Sequence, residues 1–249
     1  MIRIARVAIG YQHSMLVTAC RDGDNNLKLI AWSVTRSGDG TRLGDSGEQG
    51  EFVSDISLAT LSQGSLFSEA GGEDRVGRVA TTSVRTEEDT LKVIVWEVSA
   101  EGEFTRLGDG NDQGRSATLI KSAASGGRLI TSYRTAEGDL MLSSFSVSPD
   151  GKAVTPVGDT HYQAGAIGEH ALIGRPYGVL SAVQTAKDDN LKLIAWSVTQ
   201  DGQMRRLGDS TDDQVGSVSL IALEDFGGPH LVTAVATGER DLRIITWSD

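Results

Sequence analysis

The chain has 249 residues, 39% of them hydrophobic, and its 34 acidic against 23 basic side chains leave a formal net charge of −11. That length suits one compact domain with a sizeable core. The acidic balance and the absence of a Lys/Arg cluster argue against a nucleic-acid binder, which needs cations gathered on one face. No stretch approaches the roughly 18 apolar residues of a membrane span.

Read from the start, the chain offers four short runs of apolar and β-branched residues: Ile4 to Ile9, Leu16 to Cys20, Leu27 to Val34 and Thr41 to Leu43. Gly, Asp and Asn interrupt them, so they read as strands A, B, C and D of a meander. The next unit repeats the order with SDISLATL, VATTSV, LKVIVWEV and EFTRL, and the fourth with HALIG, VLSAV, LKLIAWSV and MRRL. Between C and D stand SGDG, AEGE, PDGK and QDGQ, whose Asp-Gly and Glu-Gly pairs supply the positive φ of a tight hairpin. The aromatic that marks strand C recurs as Trp32, Trp96, Phe145, Trp196 and Trp247, at intervals of 64, 49, 51 and 51 residues. The long first interval holds a Gly-, Ser- and Glu-rich insertion over 62–77, with Phe67 at its tip, which reads as a surface loop. No amphipathic helix is evident.

Five units of one supersecondary pattern predict an all-β fold. It is a five-bladed β-propeller of four-stranded antiparallel blades, the last blade lacking its outer strand. The units cover residues 1–50, 51–114, 115–165, 166–216 and 217–249 of a single domain. Strand A would line the channel and strand D the rim. The fifth unit shows A, B and C but no D, so either that blade is three-stranded or the natural protein continues. A β-solenoid would need shorter rungs and distinct end caps.

The segment DNNLKLIAWSVTRSGDGTRLG, Asp24 to Gly44, resembles a WD-type propeller repeat, in which a Trp-ending strand precedes a turn and an outer strand. The preceding TACRDG resembles the Ser-x-x-Asp-Gly segment of those repeats, while Ser33 stands where they carry Asp and no Gly-His pair occurs. In unit size and blade number the chain is also similar to the tachylectin-type propeller lectins.

Alternation places Lys28, Ile30, Trp32 and Val34 on one face of strand C and Leu27, Leu29 and Ala31 on the other. Blades cover both faces of each sheet, so the aromatics are expected to pack between blades, with a sugar-stacking platform as the alternative. Cys20 is the single cysteine and forms no intrachain disulfide, which leans toward a reducing compartment. Val84, Tyr133 and Val183 occupy its position in other units, so a buried thiol is expected. The opening MIRIARVAIGYQ lacks the apolar core and cleavage site of a signal peptide, and the reading leans to a cytoplasmic location.

Repetition extends into polar residues. Gly-Asp pairs follow strand D, and a glutamine follows each pair: Asp45 with Gln49, Asp109 with Gln113, Asp159 with Gln163, Asp209 with Gln214. These are expected in the connections between blades. The B–C loops, which include Arg21, Arg85 and Arg134, would open at the same mouth. Carboxylates, amides and guanidinium groups there suit a ligand rich in hydroxyls. A Gly-Asp pair is equally a turn whose carboxylate caps backbone N–H groups, and Asp45 could pair with Arg21 or a neighbouring blade's arginine as a scaffold bridge.

The four histidines fall at unequal repeat positions, and DGDNN lacks the remaining ligands of a calcium loop. No nucleophile elbow or phosphate-binding loop occurs, so no catalytic residue, metal or cofactor is assigned. The function expected is a non-enzymatic binding module with repeated polar inter-blade sites, its ligand a glycan or another small polar molecule. A protein-interaction scaffold is the alternative. An enzyme would need one asymmetric cluster of unlike residues, and the divergent third unit is where it would be sought.

Overall fold

The computed structural model describes residues 2–9, 13–47, 52–61, 79–160, 164–210, 215–225, 230–239 and 241–248. The side chains of 2–9, 13–14, 112–115 and 248 lie outside that description. The loop over 62–77 therefore falls outside the described residues.

Among the described residues nineteen strands form five antiparallel sheets. Blade 1 comprises β1 (Ile2–Ile9), β2 (His13–Arg21), β3 (Leu27–Val34) and β4 (Gly40–Asp45). Blade 2 comprises β5 (Asp55–Leu61), β6 (Val79–Arg85), β7 (Thr90–Val98) and β8 (Phe104–Arg115). Blade 3 runs β9 (Thr118–Ser125), β10 (Arg128–Arg134), β11 (Leu140–Val147), β12 (Val154–Asp159). Blade 4 runs β13 (Ile167–Arg175), β14 (Gly178–Thr185), β15 (Leu191–Val198), β16 (Met204–Asp209). Blade 5 holds β17 (Val218–Asp225), β18 (His230–Thr237) and β19 (Leu242–Ser248), with no outer strand among the described residues. The chain is a five-bladed β-propeller, and each blade is a meander in sequence order. The outer strands run two to eight residues longer than the runs of apolar residues suggest, because they continue through the Gly-Asp pairs.

The core is divided among the blade interfaces. Leu27, Leu29 and Ala31 of blade 1 pack against Ile94, Trp96, Val98 and Phe104 of blade 2. The same relation joins blades 2 and 3 around Leu91, Val93 and Phe145, and blades 3 and 4 around Leu140, Leu142 and Trp196. Leu191 and Leu193 meet blade 5, with Trp247 at the margin. The period-two pattern of strand C thus turns a leucine face of blades 1 to 4 toward the next blade and an aromatic face of blades 2 to 5 toward the preceding one. Each indole N–H donates to a hydroxyl on strand B of its own blade: Trp32 to Thr18 at 3.0 Å, Trp96 to Thr82 at 3.0 Å, Trp196 to Ser181 at 2.9 Å and Trp247 to Thr233 at 2.6 Å. A buried indole must place this proton, so the hydroxyl completes the packing.

No comparable core joins blade 5 to blade 1 among the described residues. The leucine face of blade 5 is open, with Leu220, Leu242 and Ile244 at 64%, 72% and 67% exposure. Trp32 is half-buried where Trp96 and Trp196 are fully buried. The same openness corrects the expectation for Cys20. Its thiol is free and half-buried, whereas Val84, Tyr133 and Val183 at the equivalent position are buried by a preceding blade.

Candidate functional site

The repeated Arg-Leu-Gly-Asp segment occupies the outer strand and not the inter-blade connection, which corrects the placement expected for Asp45, Asp109, Asp159 and Asp209. Each outer strand shifts register beside the aromatic, between Ala31 and Trp32, Val95 and Trp96, Ser144 and Phe145, and Ala195 and Trp196. The extra residue of this bulge is Leu43, Leu107, Val157 or Leu207. In the first three blades that side chain lies over the hairpin glycine of the next blade, at Gly102, Gly151 or Gly202. The glycine after it lets the two backbones meet. A β-carbon at Gly44 would sit 2.6 Å from the Gly102 carbonyl oxygen, and one at Gly158 would sit 2.5 Å from that of Gly202. The hydroxyl residue after the pair extends the ladder: Ser46, Thr160 and Ser210 accept from the N–H of Leu29, Leu142 and Leu193 at 3.0, 3.1 and 3.1 Å. The bulged apolar residue and this hydroxyl escaped the sequence reading, although Gly-Asp-Ser or Gly-Asp-Thr in three units was a visible signal.

The bulge turns the carboxylate onto the aromatic face of its own blade, among that blade's cations. Asp45 pairs with Arg42 and, at 3.5 Å, with Lys28, and its Oδ1 accepts the Gly47 N–H at 2.8 Å. Gly47's N–H, followed by Lys28 and Arg42, holds its pKa below the ordinary carboxylate value. Asp209 pairs with Lys192 and, at 2.9 Å, with Arg206, and Lys192 leads the lowering of its pKa. Asp109 pairs with Arg106, with the buried Lys92 at the position of Lys28. In blade 3, Met141 and Pro156 replace the two cations beside Asp159.

In place of Arg21 or a neighbouring blade's arginine, the two alternatives expected for it, Asp45 pairs with Arg42 and Lys28. Arg21 is exposed at the end of β2. Arg85 pairs with Asp89 at 2.5 Å, and Arg134 lies beside Gly138 in its own B–C loop. Gln49, Gln163 and Gln214 lie outside the described residues, and Gln113 is in β8 with its side chain outside that description.

The connections and the B–C loops do share one mouth. Asn25, Asp89, Gly138 and Asp189 each adopt positive φ, and their carbonyls accept the N–H of Val53, Ser116, Ile167 and Val218 at 2.7 to 2.8 Å. Part of the polar character of these loops is therefore turn chemistry: Asn, Asp and Gly tolerate the left-handed conformation.

At this mouth, between blades 1 and 2, opens a cleft of about 280 Å³ lined by Phe52, Thr86, Glu87, Glu88, Thr90, Lys92 and Asn111. Phe52 is held there by its bridge to Asn26 in the B–C loop of blade 1. Lys92 occupies the position of Lys28 on strand C, and Asn111, its register partner on β8, follows Asp109 by two residues. The cleft therefore sets a half-exposed aromatic ring against an ammonium, two carboxylates, two hydroxyls and an amide. It is too polar for a lipid, and its donors and acceptors match a polyhydroxylated ring. Of its lining, the sequence reading had marked the B–C loop but not Phe52, Lys92 or Asn111. Among the described residues no group of three His, Cys, Asp or Glu side chains is placed to hold a metal ion, and no helix is long and apolar enough to cross a membrane.

No family model matches the chain, and no curated protein sequence is detectably similar to it. Solved structures are. The six-bladed fucose-recognising lectin of the fungus Aleuria aurantia aligns with 99% of this chain and 74% of its own, at a TM-score of 0.63 and 13% identity. The fold is shared with propeller lectins. The lectin SapL1, solved with α-methyl fucoside, aligns with 98% of this chain and 76% of its own, at a TM-score of 0.56 and 16% identity. A Bacteroides uniformis protein provisionally assigned as a 6-phosphogluconolactonase aligns with 97% and 66%, at 0.55 and 15%. At such identities the likeness is one of architecture, and the propeller is common to lectins and enzymes.

Proposed function

We propose that this propeller is a non-enzymatic carbohydrate-binding protein whose sites are the polar clefts between blades. The observation that carries the reading is the cleft between blades 1 and 2, where Phe52 offers an apolar ring face and Lys92, Glu87, Glu88 and Asn111 converge on the same space. Sugar recognition needs this mixture: a flat apolar contact for the C–H face and fixed donors and acceptors for the hydroxyls. The ion groups of Asp45, Asp109 and Asp209 repeat beside the aromatic faces, and a paired carboxylate still has lone pairs for a hydroxyl. Gln49, Gln113, Gln163 and Gln214, Asp159, and Arg21, Arg85 and Arg134 are assigned to the same repeated sites as polar contacts. Several weak sites on one rigid frame would bind a multivalent surface by avidity.

The lectin neighbours bind fucosides, so methyl α-fucoside heads a panel of methyl glycosides for titration calorimetry and ligand-observed NMR. Binding of at least one glycoside in the millimolar range is expected, weakened about fivefold by Phe52→Ala, which removes a stacking contact of roughly 1 kcal/mol. A panel silent at millimolar sugar, or binding indifferent to Phe52→Ala and Lys92→Met together, overturns the reading.

A further inference from the structure

We propose that the cleft between blades 1 and 2 selects sugars that carry a free amine, and that Glu87 and Glu88 set this choice. The ligand class presupposes that the cleft binds carbohydrate at all. The B–C loop of blade 2 holds three carboxylates, Glu87, Glu88 and Asp89. Asp89 is neutralised by Arg85 at 2.5 Å. Glu87 and Glu88 are exposed, line the cleft, and make no hydrogen bond or ion pair with any described residue. Lys92, the cation in the lining, is 8% exposed and already engaged. Two unpartnered carboxylates against one engaged ammonium leave the cleft with uncompensated negative charge. An ammonium on the ligand meets ionised acceptors there, and a charge-assisted hydrogen bond is stronger than one to a neutral hydroxyl. A sugar carboxylate meets repulsion.

The turn itself does not require these glutamates. In blade 2 the Thr86 N–H donates to the Thr90 carbonyl at 3.0 Å, and blades 1 and 3 close the same turn from Asp22 to Asn26 at 3.0 Å and from Thr135 to Asp139 at 2.9 Å. Gly23 and Ala136 stand there at the position of Glu87. The connection does not require Phe52 either. It precedes Val53, whose N–H is accepted by the B–C loop of blade 1, and the residues preceding the equivalent donors Ile167 and Val218 are Ala166 and Ser217. Between blades 3 and 4 the Ala166 carbonyl accepts the Ala186 N–H at 3.0 Å, so alanine stands at both the ring position and the first glutamate position. The aromatic ring and the unpartnered carboxylates thus coincide in the cleft between blades 1 and 2, at positions where the fold is content with glycine or alanine. A sugar laid on Phe52 occupies the space that Glu87 and Glu88 line, which brings an amine on its ring within reach of a carboxylate.

The test titrates the full chain, at low salt and about pH 6 where the sugar amine is protonated. Methyl glucosaminide and methyl galactosaminide are compared with methyl glucoside, methyl galactoside and methyl glucuronide. The amino sugars are expected to bind about fivefold tighter than their neutral parents, the gain fading at high salt, and the uronide to bind more weakly than either. Glu87→Gln with Glu88→Gln brings amine and parent to equal affinity. Glu137→Gln, at the position of Glu88 in the exposed B–C loop of blade 3, keeps the preference. Amino and parent glycosides binding equally, a preference that survives the double substitution, or n-butylammonium binding as tightly as the amino sugars would each overturn the proposal. Equal binding of amine and parent leaves the carbohydrate reading intact, whereas silence of every glycoside removes both.

Discussion

The Gly-Asp pair divides its labour between two residues. The glycine serves the interface: at Gly108 a β-carbon would overlap the Lys152 carbonyl, and a carbonyl held by a neighbouring hairpin yields less readily than a flexible side chain. Gly108→Ala is therefore expected to destabilise the protein by about 2 kcal/mol in urea denaturation. Gly208→Ala should change stability by no more than about 0.5 kcal/mol, because nothing lies within 4 Å of the added carbon. Equal effects at the two positions would contradict the interface role. The aspartate serves its own blade. Sequence periodicity showed that both residues recur, but it gave no hint that their roles differ, since the bulge that separates them is a feature of strand register.

At the scale of the element, the outer strand is tied down by these carboxylates. Asp45 and Asp209 have pKa values lowered in the fold by Gly47, Lys28 and Arg42 and by Lys192 and Arg206. A carboxyl with a depressed folded pKa binds fewer protons folded than unfolded. Its stabilisation is thus complete above the unfolded value, and is lost as pH falls through the lower folded value. Thermal stability should fall on acidification below about pH 4. In Asp45→Asn with Asp209→Asn that acid-linked loss should be smaller, and the neutral-pH cost about 0.5 kcal/mol per site, as befits partly exposed pairs. An unchanged acid profile in the double variant would show that these groups do not hold the strand. Strand identity and hairpin turns were legible locally, from alternation and from Gly102, Gly151 and Gly202. The continuation of β4, β12 and β16 through polar Gly-Asp was not, because those residues pair by backbone while their side chains follow no apolar pattern.

For the whole molecule, the decisive feature is the seam. Four interfaces carry leucine-on-aromatic cores, and the leucine face of blade 5 presents Leu220, Leu242 and Ile244 to solvent. A contiguous apolar sheet face of this kind drives association. Sedimentation velocity should show concentration-dependent self-association at neutral pH, reduced by Leu242→Lys with Ile244→Glu while circular dichroism stays unchanged. A strictly monomeric wild-type protein would mean that the face is covered in solution.

By itself the sequence determined the blade: period-two alternation sets which side chains share a face, glycine turns set the hairpins, and the recurrence of both sets the number of sheets. These are interactions within a few residues or across one hairpin. Tertiary structure decided what lies between blades: which carboxylates meet which cations, why Phe52 faces Lys92, and why Cys20 and Trp32 stay partly open. Those outcomes depend on residues tens of positions apart being brought face to face, and on whether a neighbouring blade is present to cover them, neither of which a local pattern encodes.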